Sequence, residues 1–128
     1  MTSKYVHYIV SYCYIAFNKL TATGIVRNKL KIQATVTNAI VFMKIQQEHG
    51  SFDNFIWNYV NFKPIVNHHN ELSDVPAKTE LSETISKNLK KLGFKFLGPT
   101  SVYAFMQALG LVNDHMDYCF LKQDEAKN

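Results

Sequence analysis

The chain has 128 residues, of which 47% are apolar and 19% are charged, and this is the size and composition of one globular domain rather than of a disordered chain. A net charge of +4 and a pI near 9.0 favour a polyanionic partner such as nucleic acid without identifying one. Two cysteines far apart in sequence make no disulfide framework and fit a cytoplasmic protein. The segment 1–20 has neither an apolar run of membrane-spanning length nor a signal-peptide cleavage site, so we expect no membrane partner.

The first half of the chain is predicted to be helical. Apolar residues at helical spacing predict a long amphipathic helix over Ile25–His49, which Gly50 ends. Ser51 is a suitable N-cap for a short second helix that extends to about Tyr59. Prolines and asparagines within 61–79 then predict an irregular connection that packs along a fixed path on the surface.

The second half is predicted to contain two helices joined by a turn between two glycines. The first helix spans Leu81–Leu92, with its apolar residues on one face and its lysines outside that face. The second spans Ser101–Leu109 and stops at Gly110, and Pro99 suits its first turn because no N–H is needed there. Residues 93–100 connect them with the sequence GFKFLGPT.

This turn has two interpretations from its residues alone. The unpaired N–H groups at the start of a helix can bind a phosphate oxygen, and nearby lysines and the hydroxyl of Thr100 would add to such a site. The simpler interpretation is a corner between two helices with a solvated basic face. The residues do not decide between the two.

A metal or catalytic site is not evident from the residues alone. His115 and Cys119 lie four residues apart and would share one face of a helix, as two zinc ligands could. A buried cysteine beside a helical histidine explains the same pattern, and no closed set of four ligands is visible. The adjacent His68 and His69 are interpreted as loop histidines, and no residue is nominated as catalytic.

Several segments, in order along the chain, resemble the type I DNA-3-methyladenine glycosylases. They are GIVRNK at 24–29, GSFD at 50–53 continuing to Trp57, Lys63-Pro64, LSDVP at 72–76, SKNLKKLGFKFLGPT at 86–100, YAFMQA at 103–108 and GLVNDH at 110–115. The resemblance runs from about Gly24 to Cys119 and is weaker upstream, and the blocks from residue 86 onward are specific to the family.

The resemblance implies an all-α helix-hairpin-helix DNA glycosylase fold that is truncated at its N-terminus. It divides the chain into a poorly matching segment 1–23, the C-terminal part of the glycosylase domain over 24–121, and a polar tail over 122–128. It implies a monomer that hydrolyses the N-glycosidic bond of 3-methyladenine in alkylated double-stranded DNA during base-excision repair. The helix carrying Tyr103 and Phe105 would form one wall of the pocket for the flipped base.

The resemblance also assigns roles to particular residues. The hairpin would bind DNA through Gly93, Lys95, Gly98 and Thr100, together with Lys91. His115 and Cys119 match two of the four ligands of the family's structural zinc.

In this family the base-recognising acid, the stacking aromatic residues and the other two zinc ligands lie in a segment N-terminal to the match. The sequence therefore predicts no catalytic residue within the chain. Two alternatives to an active glycosylase are a non-catalytic DNA-binding helix-hairpin-helix remnant and a relic that folds poorly.

Overall fold

The computed structural model describes residues 28–122 and divides the chain into two compact units. Among these residues, the first unit contains 28–55 and 87–97, and the second contains 56–86 and 98–122. The described part is mainly helical, as predicted. None of its helices is long and apolar enough to cross a membrane.

Helix α1 spans Lys29–His49 in the first unit. The sequence predicted a start at Ile25, but Asn28 is extended and its side chain accepts hydrogen bonds from the N–H groups of Leu30 and Lys31 at 3.1 and 3.2 Å. Because this is N-cap geometry, the helix begins at Lys29. Residues 25–27 lie outside the described part. Gly50 ends the helix with a φ of 80°, as predicted.

Helix α2 spans Phe52–Trp57 and begins as the sequence predicted, since Ser51 Oγ accepts from the N–H of Asn54 at 2.9 Å. A 3-10 turn over Asn58–Val60 continues it, so the α-helix itself is shorter than predicted. In the first unit, Phe52 stacks on Phe42 with ring centroids 4.6 Å apart and also contacts Phe55 and Phe94. All four aromatic residues are half-buried, and their rings pack against one another.

The second unit contains one structure that was not predicted, a short parallel pairing of strands β1 (Ile65–Val66) and β2 (Val112–Asn113). The N–H of Ile65 donates to Leu111 O at 2.8 Å. A 3-10 turn over Leu72–Asp74 follows β1. The connection over 61–79 therefore has a fixed path, and part of that path is hydrogen-bonded to residues 111–113.

Helices α3 (Glu80–Leu92) and α4 (Pro99–Leu109) agree closely with the prediction. Thr79 and Ser82 cap α3 reciprocally, each accepting from the other's backbone N–H, at 2.9 and 3.2 Å. Gly110, with a φ of 78°, ends α4. The buried apolar residues of the second unit are Ile56, Val60, Ile85, Val102, Tyr103, Met106, Leu111 and Val112.

Candidate nucleic-acid interface and metal-ligand pair

The end of α3 forms the first side of the hairpin. The N–H of Gly93 donates to Lys90 O and that of Phe94 to Leu89 O, both at 3.0 Å, which is the pair of bonds of a Schellman motif. Gly93 has a φ of 111°, and a Cβ at this position would lie 3.1 Å from Val41 Cγ2. The backbone conformation therefore favours glycine here, and a Cβ would in addition be tight against Val41 of α1.

In the next part of the turn, one side chain forms hydrogen bonds with both the N–H and the C=O of Lys95. Asn38 of α1 accepts from the N–H of Lys95 at 2.7 Å and donates its amide N–H to Lys95 O at 3.0 Å. The side chain of Lys95 is exposed, as is Lys91 in the last turn of α3. Phe96 has a φ of 54° and is 63% exposed. Lys95 and Phe96 also border a groove of about 690 Å³ along α1.

Helix α4 begins in the second unit. Gly98 is the N-cap and Pro99 is the first helical residue, and no side chain caps this terminus. Gly98 has ordinary dihedral angles (φ −90°, ψ 166°), and a Cβ there would meet nothing within 4 Å. Its backbone conformation therefore does not require glycine, unlike that of Gly93. The N–H groups of Thr100 and Ser101 are among the donors that α-helix geometry leaves without a helical partner, and both residues are exposed.

His115 and Cys119 lie close together, but not on a helix as the sequence predicted. After β2 the chain makes a turn over residues 116–119, in which the N–H of Cys119 donates to Met116 O, and Cys119 Sγ lies 3.7 Å from His115 Nδ1. Two ligands of one tetrahedral zinc ion, with a sulfur at ~2.3 Å and a nitrogen at ~2.0 Å, stand about 3.5 Å apart. The pair therefore fits one edge of a zinc site. Within residues 28–122 no group of three or more His, Cys, Asp or Glu side chains is placed to hold a metal.

Asp114, the residue before His115, is the centre of a buried polar network that the sequence did not predict. Its side chain is 6% exposed. Oδ1 accepts from Asn67 Nδ2 at 2.7 Å and lies 2.9 Å from His69 Nε2. Oδ2 accepts from the hydroxyl of Tyr103 at 2.5 Å and from Gln107 Nε2 at 2.8 Å. The carboxylate thus has four partners, two on each oxygen.

The network alters the ionisation of its members. Burial acts to raise the pKa of Asp114, but the hydrogen bonds from Tyr103, Asn67, Gln107 and His69 outweigh it and lower this pKa from 3.8 to about 2. Burial and the hydrogen bond to Asp114 raise the pKa of Tyr103. Because an ionised carboxylate only accepts, His69 Nε2 carries the proton in this contact. Tyr103 is buried and bonded, so it presents no open ring face to a base.

Two further contacts join the segment after β1 to residues 117–122, one through the side chain of His68 and one through Asn67 O. His68 Nδ1 lies 3.1 Å from Asp117 Oδ1, and Lys122 Nζ lies 2.5 Å from the same oxygen. The hydrogen bond from Lys122 lowers the pKa of Asp117. The side chain of Lys122 is 4% exposed and also donates to Asn67 O, so the first residue of the predicted polar tail is held in place.

The two adjacent histidines are therefore more than loop residues, because each faces an aspartate. Their partners lie 45 and 49 residues further along the chain. Local sequence contained no signal for this contact, because His69 and Asp114 follow strands of only two residues each. Pairing them required knowledge of the β1–β2 register.

The solved structures to which the chain is similar define its class. It resembles Staphylococcus aureus 3-methyladenine DNA glycosylase I, with a TM-score of 0.77, 35% identity, and coverage of 97% of this chain and 61% of that one. A solution structure of a 3-methyladenine DNA glycosylase I gives a TM-score of 0.80 at 36% identity, covering 94% of this chain and 65% of that one. The fold is thus that of a helical DNA glycosylase, as the resemblance in sequence implied.

The family follows from the sequence matches. The methyladenine glycosylase family model matches residues 6–122, and the chain belongs to this family. DNA-3-methyladenine glycosylase of Haemophilus influenzae is 47% identical over 97 residues, and DNA-3-methyladenine glycosylase 1 of Escherichia coli K12 is 47% identical over 96. These matches cover 76% and 75% of this chain, which spans about half the length of either relative (52% and 51%). The division at residue 23 stays a prediction, and the family match begins upstream of it.

Proposed function

We propose that this chain provides the DNA-binding hairpin of a DNA-3-methyladenine glycosylase that hydrolyses the N-glycosidic bond of 3-methyladenine in alkylated double-stranded DNA. Family membership supports the chemistry, and the uncapped start of α4 after Gly98 is the observation that supports DNA binding. The same proposal describes a cytoplasmic monomer that acts in base-excision repair.

The hairpin residues have distinct tasks in this proposal. The N–H groups of Gly93 and Lys95 are bonded within the protein, so these two residues shape the hairpin and do not bind phosphate through their N–H groups. The phosphate contact is assigned to the N–H groups of Thr100 and Ser101, with Gly98 leaving access open. Lys91 and Lys95 supply charge, which strengthens binding without reading sequence.

The base-releasing chemistry needs groups beyond this hairpin. A methylated adenine is already activated as a leaving group, so a glycosylase of this kind gains mainly by unstacking the base and binding it in a closed slot. Water then takes the place of the base on the sugar carbon. No described residue of this chain is assigned a direct part in that step.

Zinc belongs to the proposal as a structural ion. His115 and Cys119 would hold it, and their 3.7 Å separation supports this assignment. When bound, zinc would cross-link the chain end to ligands elsewhere in the protein and would not take part in base release.

The DNA contact is tested by fluorescence anisotropy with a labelled duplex at several salt concentrations. Lys95→Ala should weaken binding and reduce the slope of log K against log salt by about 1, because one phosphate contact is lost. The matched control is Lys44→Ala, which changes an exposed lysine of α1 outside the hairpin and should leave the slope as it is. An unchanged slope for Lys95→Ala would remove this residue from the interface.

Release of 3-methyladenine from alkylated DNA distinguishes an active glycosylase from the alternative, a non-catalytic DNA-binding module. The 128-residue chain by itself is expected to bind DNA and to release base only at background, with the Escherichia coli relative as the positive control. Clear release by the purified chain would show that it contains a working pocket.

A further inference from the structure

We infer that Asn38 is a positioning residue for DNA binding, which acts by holding the backbone of Lys95 so that the hairpin presents its DNA-facing side. This inference rests on the proposed function and adds a residue that lies 57 positions away from the one it holds. Asn38 belongs to α1, and neither of its two contacts is made with its own helix.

The geometry shows a paired contact rather than a chance one. The two atoms of one amide group bond the N–H and the C=O of a single residue, at 2.7 and 3.0 Å, much as a neighbouring strand would. Within a helix, asparagine is less favourable than alanine, and its side chain commonly bonds local backbone instead. Here it satisfies two polar groups of a turn that has no regular secondary structure of its own.

The position of the contact explains what it would control. Lys95 lies between Gly93, whose Cα approaches Val41 of α1, and Phe96, whose backbone is in the left-handed region. A left-handed conformation at a phenylalanine is unfavourable and persists only where the surroundings hold it. Asn38 is hydrogen-bonded to the residue immediately before Phe96. It therefore restrains the turn next to a residue that would otherwise move to a more favourable backbone conformation.

In this inference Asn38 affects DNA binding by ordering the turn and does not contact DNA itself. With its N–H and C=O occupied, Lys95 can offer only its side chain to DNA, and the direction of that side chain follows from the fixed backbone. Without Asn38 the turn would sample other conformations, and binding would then have to order it again, at a cost in affinity.

The test is a double-mutant cycle in duplex binding with Asn38→Ala, Lys95→Ala and the double variant, measured by anisotropy on one labelled 20-base-pair duplex. If Asn38 acts through Lys95, Asn38→Ala alone weakens binding and lowers the salt slope, and Lys95→Ala then adds little in its presence. We expect a coupling of at least about threefold in the dissociation constant. Thr35→Ala, an exposed threonine on the same helix whose hydroxyl bonds only within the helix, is the matched control.

Two further measurements test whether Asn38→Ala weakens DNA binding only because it destabilises the whole fold. Denaturant unfolding of each variant establishes that binding is compared between folded proteins. In amide hydrogen exchange we expect the Lys95 N–H to be protected in the parent chain and in Thr35→Ala, and to exchange faster in Asn38→Ala.

The outcomes distinguish the two proposals. If the parent chain does not bind duplex DNA, the proposed function fails, whatever the exchange data show. If the parent binds and the Asn38 and Lys95 effects simply add, or Asn38→Ala binds as the parent does, the inference about Asn38 is wrong while the proposed function stands. Unchanged exchange at Lys95 in Asn38→Ala would overturn the contact itself.

Discussion

Asp114 illustrates at the level of single residues what local sequence does not reveal. The sequence assigned no role to Asp114, which lies beside His115 in a short polar run. The structure makes it the acceptor of hydrogen bonds that include Asn67 and His69, which precede it by 47 and 45 residues. By contrast Gly93 was predicted correctly as a helix-ending glycine, because its requirement comes mainly from its own φ of 111°.

Asp114 also leads to a prediction about acid stability. Its pKa is about 2 in the folded chain and near 3.8 when unfolded. The lowered value means that the ionised carboxylate stabilises the fold above pH ~4 and that this contribution disappears as the pH falls toward 2. It amounts to about 2 kcal/mol. We therefore expect Asp114→Asn to lower the free energy of unfolding at pH 7 and to flatten its pH dependence between pH 4 and 2.

Urea denaturation across this pH range, with a chelator present to exclude metal, measures the effect. Glu48→Gln is the control, since Glu48 is an exposed acid in the last turn of α1. Parallel pH curves for the parent chain and Asp114→Asn would show that the network does not stabilise the fold in the way its geometry indicates.

At the level of elements, helix ends were predicted well and strand pairing was not predicted at all. The caps at Ser51, Gly50 and Gly110 depend on residues within one turn of the helix, so local sequence contains the information. The start of α1 was misplaced because the apolar pattern extends upstream of the true cap, Asn28. Strands β1 and β2 are two residues each and meet across 47 positions, so they have no periodicity to detect.

The cap at the start of α3 is the basis of a prediction at this scale. Thr79→Ala removes the oxygen that accepts from the N–H of Ser82 and should lower the free energy of unfolding by about 1 kcal/mol. Thr79→Ser keeps that oxygen and should retain most of the stability. Thr84→Ala changes an exposed threonine of the same helix and should have less effect, within about 0.5 kcal/mol. Chemical denaturation of the three variants checks the order, and equal losses at both threonines would contradict a specific role for the cap.

For the whole molecule, the family could be identified from sequence because the matching blocks are spread over 24–119 in the order found in the family. The DNA-binding role of residues 93–100 stays a prediction, and the sequence did not indicate which backbone groups of this segment are bonded within the protein. That the N–H of Lys95 is occupied by Asn38, whereas the start of α4 is open, depends on contacts between distant parts of the chain. The His115–Cys119 pair was expected on a helix and instead lies at a turn over residues 116–119 after β2.

That pair supports a last prediction, about metal content. A zinc ion held by two protein ligands keeps the rest of its coordination open to water, and stable structural sites use four. The purified 128-residue chain, as a monomer, should therefore contain much less than one zinc per molecule. Elemental analysis of the monomer peak from gel filtration measures this, and Cys119→Ser should remove any residual metal. One zinc retained per monomer through that column would mean that two further ligands lie in the chain outside residues 28–122, because His115 and Cys119 account for only half of such a site.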